Sequence, residues 1–302
     1  MTLSARGGAL LLVNPAAGRG RASRLYPAVA EALRVAGYAP RIVVTDSLAG
    51  ATASAREAPS GTLVAALGGD GFLGAAATGA SASGAVLLPL AGGRGNDTVR
   101  RFRLGSDPVR TVQKIPRLVV RPTDLGLLNG HPFLGVANVG LDGLANEYGN
   151  STALNLGSLS YLYGGLKAFR GWQDVTFTVT TDGRQTSSPG WFVAVGNVGQ
   201  YGGGLRICPA ARADDGLLDV VSLGRTSIPR VVTTFLRAFT GSHLGQPGVT
   251  SSRGTVVTIS ADRPLNVYAD GEWVGSLPAT VDILPAAVRV LVARDSPAFA
   301  SD

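Results

Sequence analysis

Residues 67–74, LGGDGFLG, follow directly on the apolar run LVAA, and their reading decides the fold of the first part of the chain. A strand that ends in glycines and feeds a helix leaves backbone N–H groups exposed at the helix N-terminus. Phosphate oxygens can approach such groups closely, because no Cβ stands in the way. One carboxylate, Asp70, is kept among these glycines.

The surroundings fit that reading. ALLLV (9–13), RIVV (41–44), TLVAAL (62–67) and AVLLP (85–89) predict short strands buried on both faces. Between them, Leu25, Val29 and Leu33 recur at helical spacing before Gly37, and residues 48–58 and 72–80 predict two further helices. Strands alternating with helical crossovers imply a parallel, Rossmann-like sheet. Two more glycine-rich loops share the design: Asn14-Pro15-Ala16-Ala17-Gly18 after the first strand, and Gly92-Gly93-Arg94-Gly95-Asn96-Asp97 after the fourth. Loops at the carboxyl ends of parallel strands converge on the crevice where open α/β sheets bind ligands. No Gly-Lys-Ser/Thr follows any of them, and none has dinucleotide-fingerprint spacing.

Past Ile115 the pattern turns β-rich. Alternating segments recur to VRVLVAR, and Asn129-Gly130, Asp182-Gly183 and Asp270-Gly271 predict hairpin turns. Helical interruptions are expected near 157–170 and 228–239. The expected organisation is an α/β domain over 1–122 and an antiparallel β-sandwich over 123–289, with about 290–302 packing back on the first domain.

At these residues the sequence resembles the soluble diacylglycerol-kinase catalytic-domain family, which includes bacterial lipid kinases and sphingosine kinases. NPAAGRGRA looks like its Asn-Pro-x-x-Gly nucleotide loop, and LGGDGFLG like its glycine-glycine-aspartate-glycine signature. GRGNDTVRRF, Asp124-Leu125-Gly126, GGGLRICPAARADDGLLDV and YADGEWVG resemble later blocks, in family order. The resemblance implies an N-terminal nucleotide-binding domain, a C-terminal β-sandwich and an active site in the cleft between them. It also implies an ATP- and Mg²⁺-dependent kinase acting on the hydroxyl of a lipid such as diacylglycerol or a sphingoid base. NAD kinase-like activity and a non-catalytic lipid- or nucleotide-binding role are the alternatives.

By the same resemblance Asn14, Pro15, Gly18, Thr45, Gly68, Gly69, Asp70, Gly71, Arg94 and Asn96 line the ATP site. Arg94, where threonine is common, either contacts phosphates or is a solvated loop charge. Asp70 holds Mg²⁺, orients the nucleotide or takes the acceptor proton. Asp97 and Asp124 join an aspartate–water–Mg²⁺ network, or else cap a helix and make a turn. Asp215, with the carbonyls of Arg212 and Leu217, is expected to hold a structural Mg²⁺; a plain turn is the competing reading. Glu272 is the expected general base, the competing reading being an exposed hairpin tip. The apolar residues from Leu154 to Phe169 line an acceptor groove or pack as core. Phe72 and Gly74 depart from the common loop pattern and bear on donor preference.

Composition narrows the partners. Net charge is +7, carried by arginine, since Lys114 and Lys167 are the lysines. That balance suits ATP, an acidic membrane surface met peripherally, or nucleic acid, but no basic–aromatic motif supports the last. A homodimer is compatible with the sequence. Cys208 is the single cysteine, so a reducing cytoplasm is expected, reaching the inner face of the membrane. No apolar stretch approaches the ~18 residues of a membrane span. The N-terminal apolar run reads as a strand instead of a leader, because it meets Asn14-Pro15 and no cleavage site.

Overall fold

In the computed structural model, residues 8–141 and 175–300 are described. The helix expected near 157–170 and the apolar stretch Leu154–Phe169 lie outside the described residues.

The apolar runs of the first third become β1 (Gly8–Val13), β2 (Ala39–Val44), β3 (Leu63–Gly68) and β4 (Val86–Ala91). The helices between and after them are α1 (Ala17–Val35), α2 (Leu48–Arg56), α3 (Asp70–Ser83), α4 (Asp97–Arg101) and α5 (Pro108–Gln113). All four strands are parallel, in the order β2-β1-β3-β4. Alternate residues of β1 and β3 point to opposite faces and both sets are buried, which is why these strands read as unbroken apolar runs. Val29 and Leu33 of α1 and Val112 of α5 join Leu11, Ala65 and Leu88 in the core on one face. α2 and α3 pack closely together because Gly79 carries no side chain. A Cβ there would lie 2.3 Å from the Thr52 carbonyl oxygen.

The remaining strands are β5 (Val119–Leu128), β6 (His131–Phe133), β7 (Val136–Gly140), β8 (Val175–Thr181), β9 (Arg184–Gly196) and β10 (Leu218–Gly224). After them come α6 (Ile228–Ala238), β11 (Val249–Gly254), β12 (Val256–Ala261), β13 (Asn266–Ala269), β14 (Glu272–Ser276) and β15 (Ala279–Val292). The three predicted turns join β5 to β6, β8 to β9 and β13 to β14. Both central residues of each have positive φ, as two-residue hairpins of matched twist require.

β9 organises the antiparallel half. Its first part pairs with β8, and Phe192–Gly196 lies between β7 and β10. The change comes at Gly190, where a Cβ would sit 2.8 Å from the Leu223 carbonyl oxygen. β7, β10 and the second half of β9, from Gly190, are covered on both faces, whereas Arg184–Pro189 of β9 are exposed. Ala137, Val139, Val193, Val195 and Val220 enter one core, while Val136, Phe192, Ala194 and Val221 enter another with Val231 and Ala238 of α6.

The chain divides into two compact units. One comprises the chain to Leu125, Arg212–Asp215 and the chain from Leu284; the other is Gly126–Ala211 and Gly216–Ile283. β15 belongs to both. Ala279–Asp282 pairs antiparallel with β12, and Arg289–Val290 pairs parallel with β4, adding a fifth strand to the parallel sheet.

Candidate active site

The strand order puts the topological switch between β1 and β3, so the loops after them flank the point where doubly wound sheets bind ligands. The first loop starts at Asn14, whose N–H donates to the Leu67 carbonyl at 3.0 Å and whose Oδ1 accepts from Ala16 N–H at 3.0 Å. Ser23 then donates to the Pro15 carbonyl at 3.2 Å. Gly18, Arg19 and Gly20 all have positive φ, so the chain makes a left-handed turn before α1 continues. A Cβ at Gly18 would lie 2.5 Å from the Gly92 carbonyl oxygen.

The second and third loops meet main chain to main chain. The Gly68 carbonyl accepts from Gly92 N–H at 2.9 Å and from Gly93 N–H at 2.8 Å. A Cβ at Gly93 would sit 2.6 Å from Gly69 Cα. Gly69 is the N-cap of α3 and offers no side chain, so no side-chain cap meets the first amides of that helix, Gly71 among them. Asn96, in the left-handed region, clamps its own loop. Its Oδ1 accepts from Gly93 N–H at 2.8 Å and its Nδ2 donates to the Gly93 carbonyl at 2.9 Å. Arg94 is exposed on this loop.

Asp70 links loop two to α4. Its Oδ1 accepts from Thr98 N–H at 2.9 Å and its Oδ2 from Asp97 N–H at 3.2 Å. Asp70 thus meets the first amides of α4 from twenty-seven residues away in sequence. Asp97 is buried, and its Oδ2 and that of Asp70 both face Gly95. Phe72 is 2% exposed and lays its ring against Gly68, turning inward from the α3 N-terminus; Gly74 is buried on the same helix. Thr45 follows β2, donates its N–H to the Val13 carbonyl at 2.9 Å and accepts from Ser47 N–H at 3.2 Å. Its Oγ1 lies where a Cβ on Gly50 would come within 2.6 Å.

Arg21 escaped the sequence reading. Its guanidinium donates to the Ala91 carbonyl at 3.0 Å and the Ser106 carbonyl at 2.7 Å, clamping the root of the third loop. A basic residue three positions past Gly18 was the available signal.

Asp124 is buried on β5. Its N–H donates to the Ala213 carbonyl at 2.7 Å, and its Oδ1 accepts from Ala286 N–H at 2.6 Å. Arg212 is exposed, while Asp215 and Leu217 are half-buried; the first two belong to the first unit and Leu217 to the second.

In the second unit Glu272 is exposed at the start of β14, opposite Ala269. The turn before it is fixed by Asp270, a role the sequence reading left unassigned. Asp270 Oδ2 accepts from Leu134 N–H at 2.9 Å, and Oδ1 from Gly135 N–H at 2.8 Å and Val136 N–H at 3.2 Å. Three backbone donors on one carboxylate anchor the hairpin to the start of β7.

Among the described residues no cluster of three or more His, Cys, Asp or Glu forms a ready-made metal cage. The Asp70 and Asp97 carboxylates beside Gly95 are nevertheless the hard oxygen donors Mg²⁺ takes, and that ion usually keeps waters and binds through one or two carboxylates plus phosphate. The residues fit.

Comparison with known proteins gives a consistent picture. Residues 8–128 match the diacylglycerol kinase catalytic domain model, and residues 135–292 match the YegS C-terminal NAD kinase beta sandwich-like domain. The chain is 32% identical over 237 residues to a diacylglycerol kinase of Mycobacterium tuberculosis, covering 75% of each. It is 30% identical over 285 residues to a YegS-like lipid kinase of Pseudomonas fluorescens, covering 89% of this chain and 91% of the other. A crystal structure of a diacylglycerol kinase from Bacillus anthracis aligns over 97% of this chain and 98% of that one, with TM-score 0.69 and 21% identity. No described helix is long and apolar enough to cross a membrane.

Proposed function

Because the chain belongs to the diacylglycerol kinase catalytic-domain family, and is a phosphotransferase with an alcohol group as acceptor, we propose that it transfers the γ-phosphoryl group of ATP to a lipid hydroxyl. Diacylglycerol is the first acceptor and a sphingoid base the second. The observation that carries this reading is the main-chain meeting of the Gly18, Gly68–Gly69 and Gly92–Gly93 loops at the switch point. Backbone N–H groups without side chains in front of them bind phosphate at short range and need no reorganisation during reaction.

Each residue has a role in this proposal. Asn14 and Asn96 hold their loops in shape, with Pro15 and Thr45 flanking the nucleotide. Asp70 fixes the α4 amides, and Arg94 presents a guanidinium to phosphate oxygens. Asp70 and Asp97 would hold Mg²⁺, with Asp124 linked to them through water, and the ion when bound would neutralise charge building on the transferred phosphoryl group. Glu272 accepts the proton of the lipid hydroxyl, whose high intrinsic pKa makes a base useful as transfer proceeds.

The test is incubation with Mg²⁺ and γ-labelled ATP against diacylglycerol, a sphingoid base and NAD in detergent micelles. Label should appear in diacylglycerol; label in NAD alone sinks the reading. Glu272→Gln should lower kcat by about 10²–10⁴-fold with KM for ATP nearly unchanged. An unaltered kcat removes Glu272 as the base.

A further inference from the structure

α6 carries more apolar surface than its packing uses. Val231, Thr234 and Ala238 are buried beneath it, and Phe235 stacks on Phe192 with ring centroids 5.3 Å apart. A second apolar row stands beside this face. Ile228, Val232 and Leu236 recur every fourth residue, and Phe239, just past the helix end, falls on the same row. Ile228 is 47% exposed, Leu236 57% and Phe239 40%. Core formation does not account for three large apolar side chains in solvent along one stripe.

Three exposed arginines adjoin the stripe. Arg230 and Arg237 project from the polar side of α6, and the exposed Arg206 adjoins its C-terminal end through its N–H to the Ala238 carbonyl at 2.9 Å. None of these three guanidinium groups forms an ion pair among the described residues. From Val220 to Ala261 the sequence contains no Asp or Glu at all, and Arg225 lies in the same stretch; Arg253, also within it, is paired with Asp219 at 3.1 Å.

We infer that α6 is a membrane-docking helix that lies on an anionic bilayer, with Ile228, Leu236 and Phe239 entering the headgroup–acyl boundary and the arginines meeting lipid phosphates. An apolar stripe beside a cationic face is the pattern of helices that rest in the plane of a membrane. An anionic surface complements the whole acid-free stretch. A second copy of the same face would bring arginine against arginine, so self-association through it is disfavoured. The inference deepens the lipid-kinase reading and rests on it for its purpose, since a lipid kinase must reach an acceptor held in a bilayer.

The test is co-sedimentation with vesicles of equal parts phosphatidylglycerol and phosphatidylcholine, without nucleotide. Wild-type protein should pellet with these vesicles, more weakly as salt is raised and more weakly with phosphatidylcholine alone. The exposed double substitution Leu236→Glu with Phe239→Glu should lower the bound fraction by about ten-fold or more, and Arg230→Glu with Arg237→Glu should do likewise. Both variants should phosphorylate micelle-dispersed diacylglycerol at near wild-type rates. Unchanged vesicle binding in the variants, or no binding by wild type, overturns the inference. So does a wild-type dimer that Leu236→Glu with Phe239→Glu converts to a monomer, because the face would then be a contact between copies. A wild-type chain that binds vesicles yet labels no lipid in micelles overturns the kinase reading and leaves the docking helix standing.

Discussion

A methyl group added at Gly18 would meet the Gly92 carbonyl oxygen at 2.5 Å, and the backbone there has φ +58°. Gly20 is the natural control. It shares the left-handed conformation, but its nearest neighbour for a Cβ is the end of the Arg24 side chain at 3.6 Å. Gly20→Ala should therefore cost about 1–2 kcal/mol of stability from strain alone. Gly18→Ala should carry the same strain and also force the first and third loops apart, weakening ATP binding about ten-fold or more, as read by calorimetry. Equal ATP affinities in the two variants would show that the loop contact does not shape the site. Residue type announced the glycines, because few other reasons explain so many after a buried strand. Asp70 stood out in the sequence as a single carboxylate kept among glycines, but its bonds to the amides of Asp97 and Thr98 did not. Those bonds join residues far apart in sequence, and no local pattern encodes them. Phe72 shows the converse. As a departure from the common loop pattern it bore on donor preference, and the structure packs it against Gly68 in the core.

Among the elements, β15 has its bend held by a side chain from β5. It leaves β12, passes Pro285 and Ala286, and joins β4. Ala286 has φ +50°, and its N–H is held by the buried Asp124 carboxylate. Asp124→Ala should remove the acceptor at the bend and cost about 1–3 kcal/mol, seen as a lower urea midpoint in Mg²⁺-free buffer. Asp124→Asn keeps an acceptor oxygen and should cost less. A stability loss that appears only with Mg²⁺ present would assign Asp124 to metal alone. β1, β3 and β4 were legible because burial on both faces writes an uninterrupted apolar run. β11 was not, since Val249–Gly254 reads VTSSRG and is mostly exposed, so its pairing with β10 leaves no alternation to detect. Only the VRVLVAR half of β15 stood out, because Pro285 and the change of partner break the pattern before it.

For the molecule as a whole, one buried base sets part of the acid response. His243 is fully enclosed, and its Nε2–H donates to the Ile207 carbonyl at 2.9 Å while Nδ1 has no hydrogen-bond partner among the described residues. Burial pushes the imidazole pKa down, and the Ile207 carbonyl opposes that shift without cancelling it. The unfolded chain, with its histidine near the ordinary value of about 6.5, therefore takes up a proton first as pH falls. His243 thus contributes its full stability above about pH 6.5 and loses it progressively toward the lower folded pKa. The thermal midpoint of wild type should fall over that interval, and His243→Gln should flatten that part of the profile; parallel profiles would exclude His243 as the cause. Periodicity separated an α/β region from a β-rich one, yet Arg212–Asp215 gave no hint that it groups with the first unit, because its ties to Asp124 and Ala298 are non-local. Those ties bear on biosynthesis. The glycine loops leave the ribosome early, but the parallel sheet gains its fifth strand only when Arg289 and Val290 emerge, and Phe102 meets Phe299, ring centroids 5.6 Å apart, later still. The nucleotide-loop unit must therefore wait, incomplete and partly uncovered, until the intervening β-rich unit has been synthesised. A unit assembled from segments this far apart in sequence stays incomplete for longer during synthesis than a contiguous domain would.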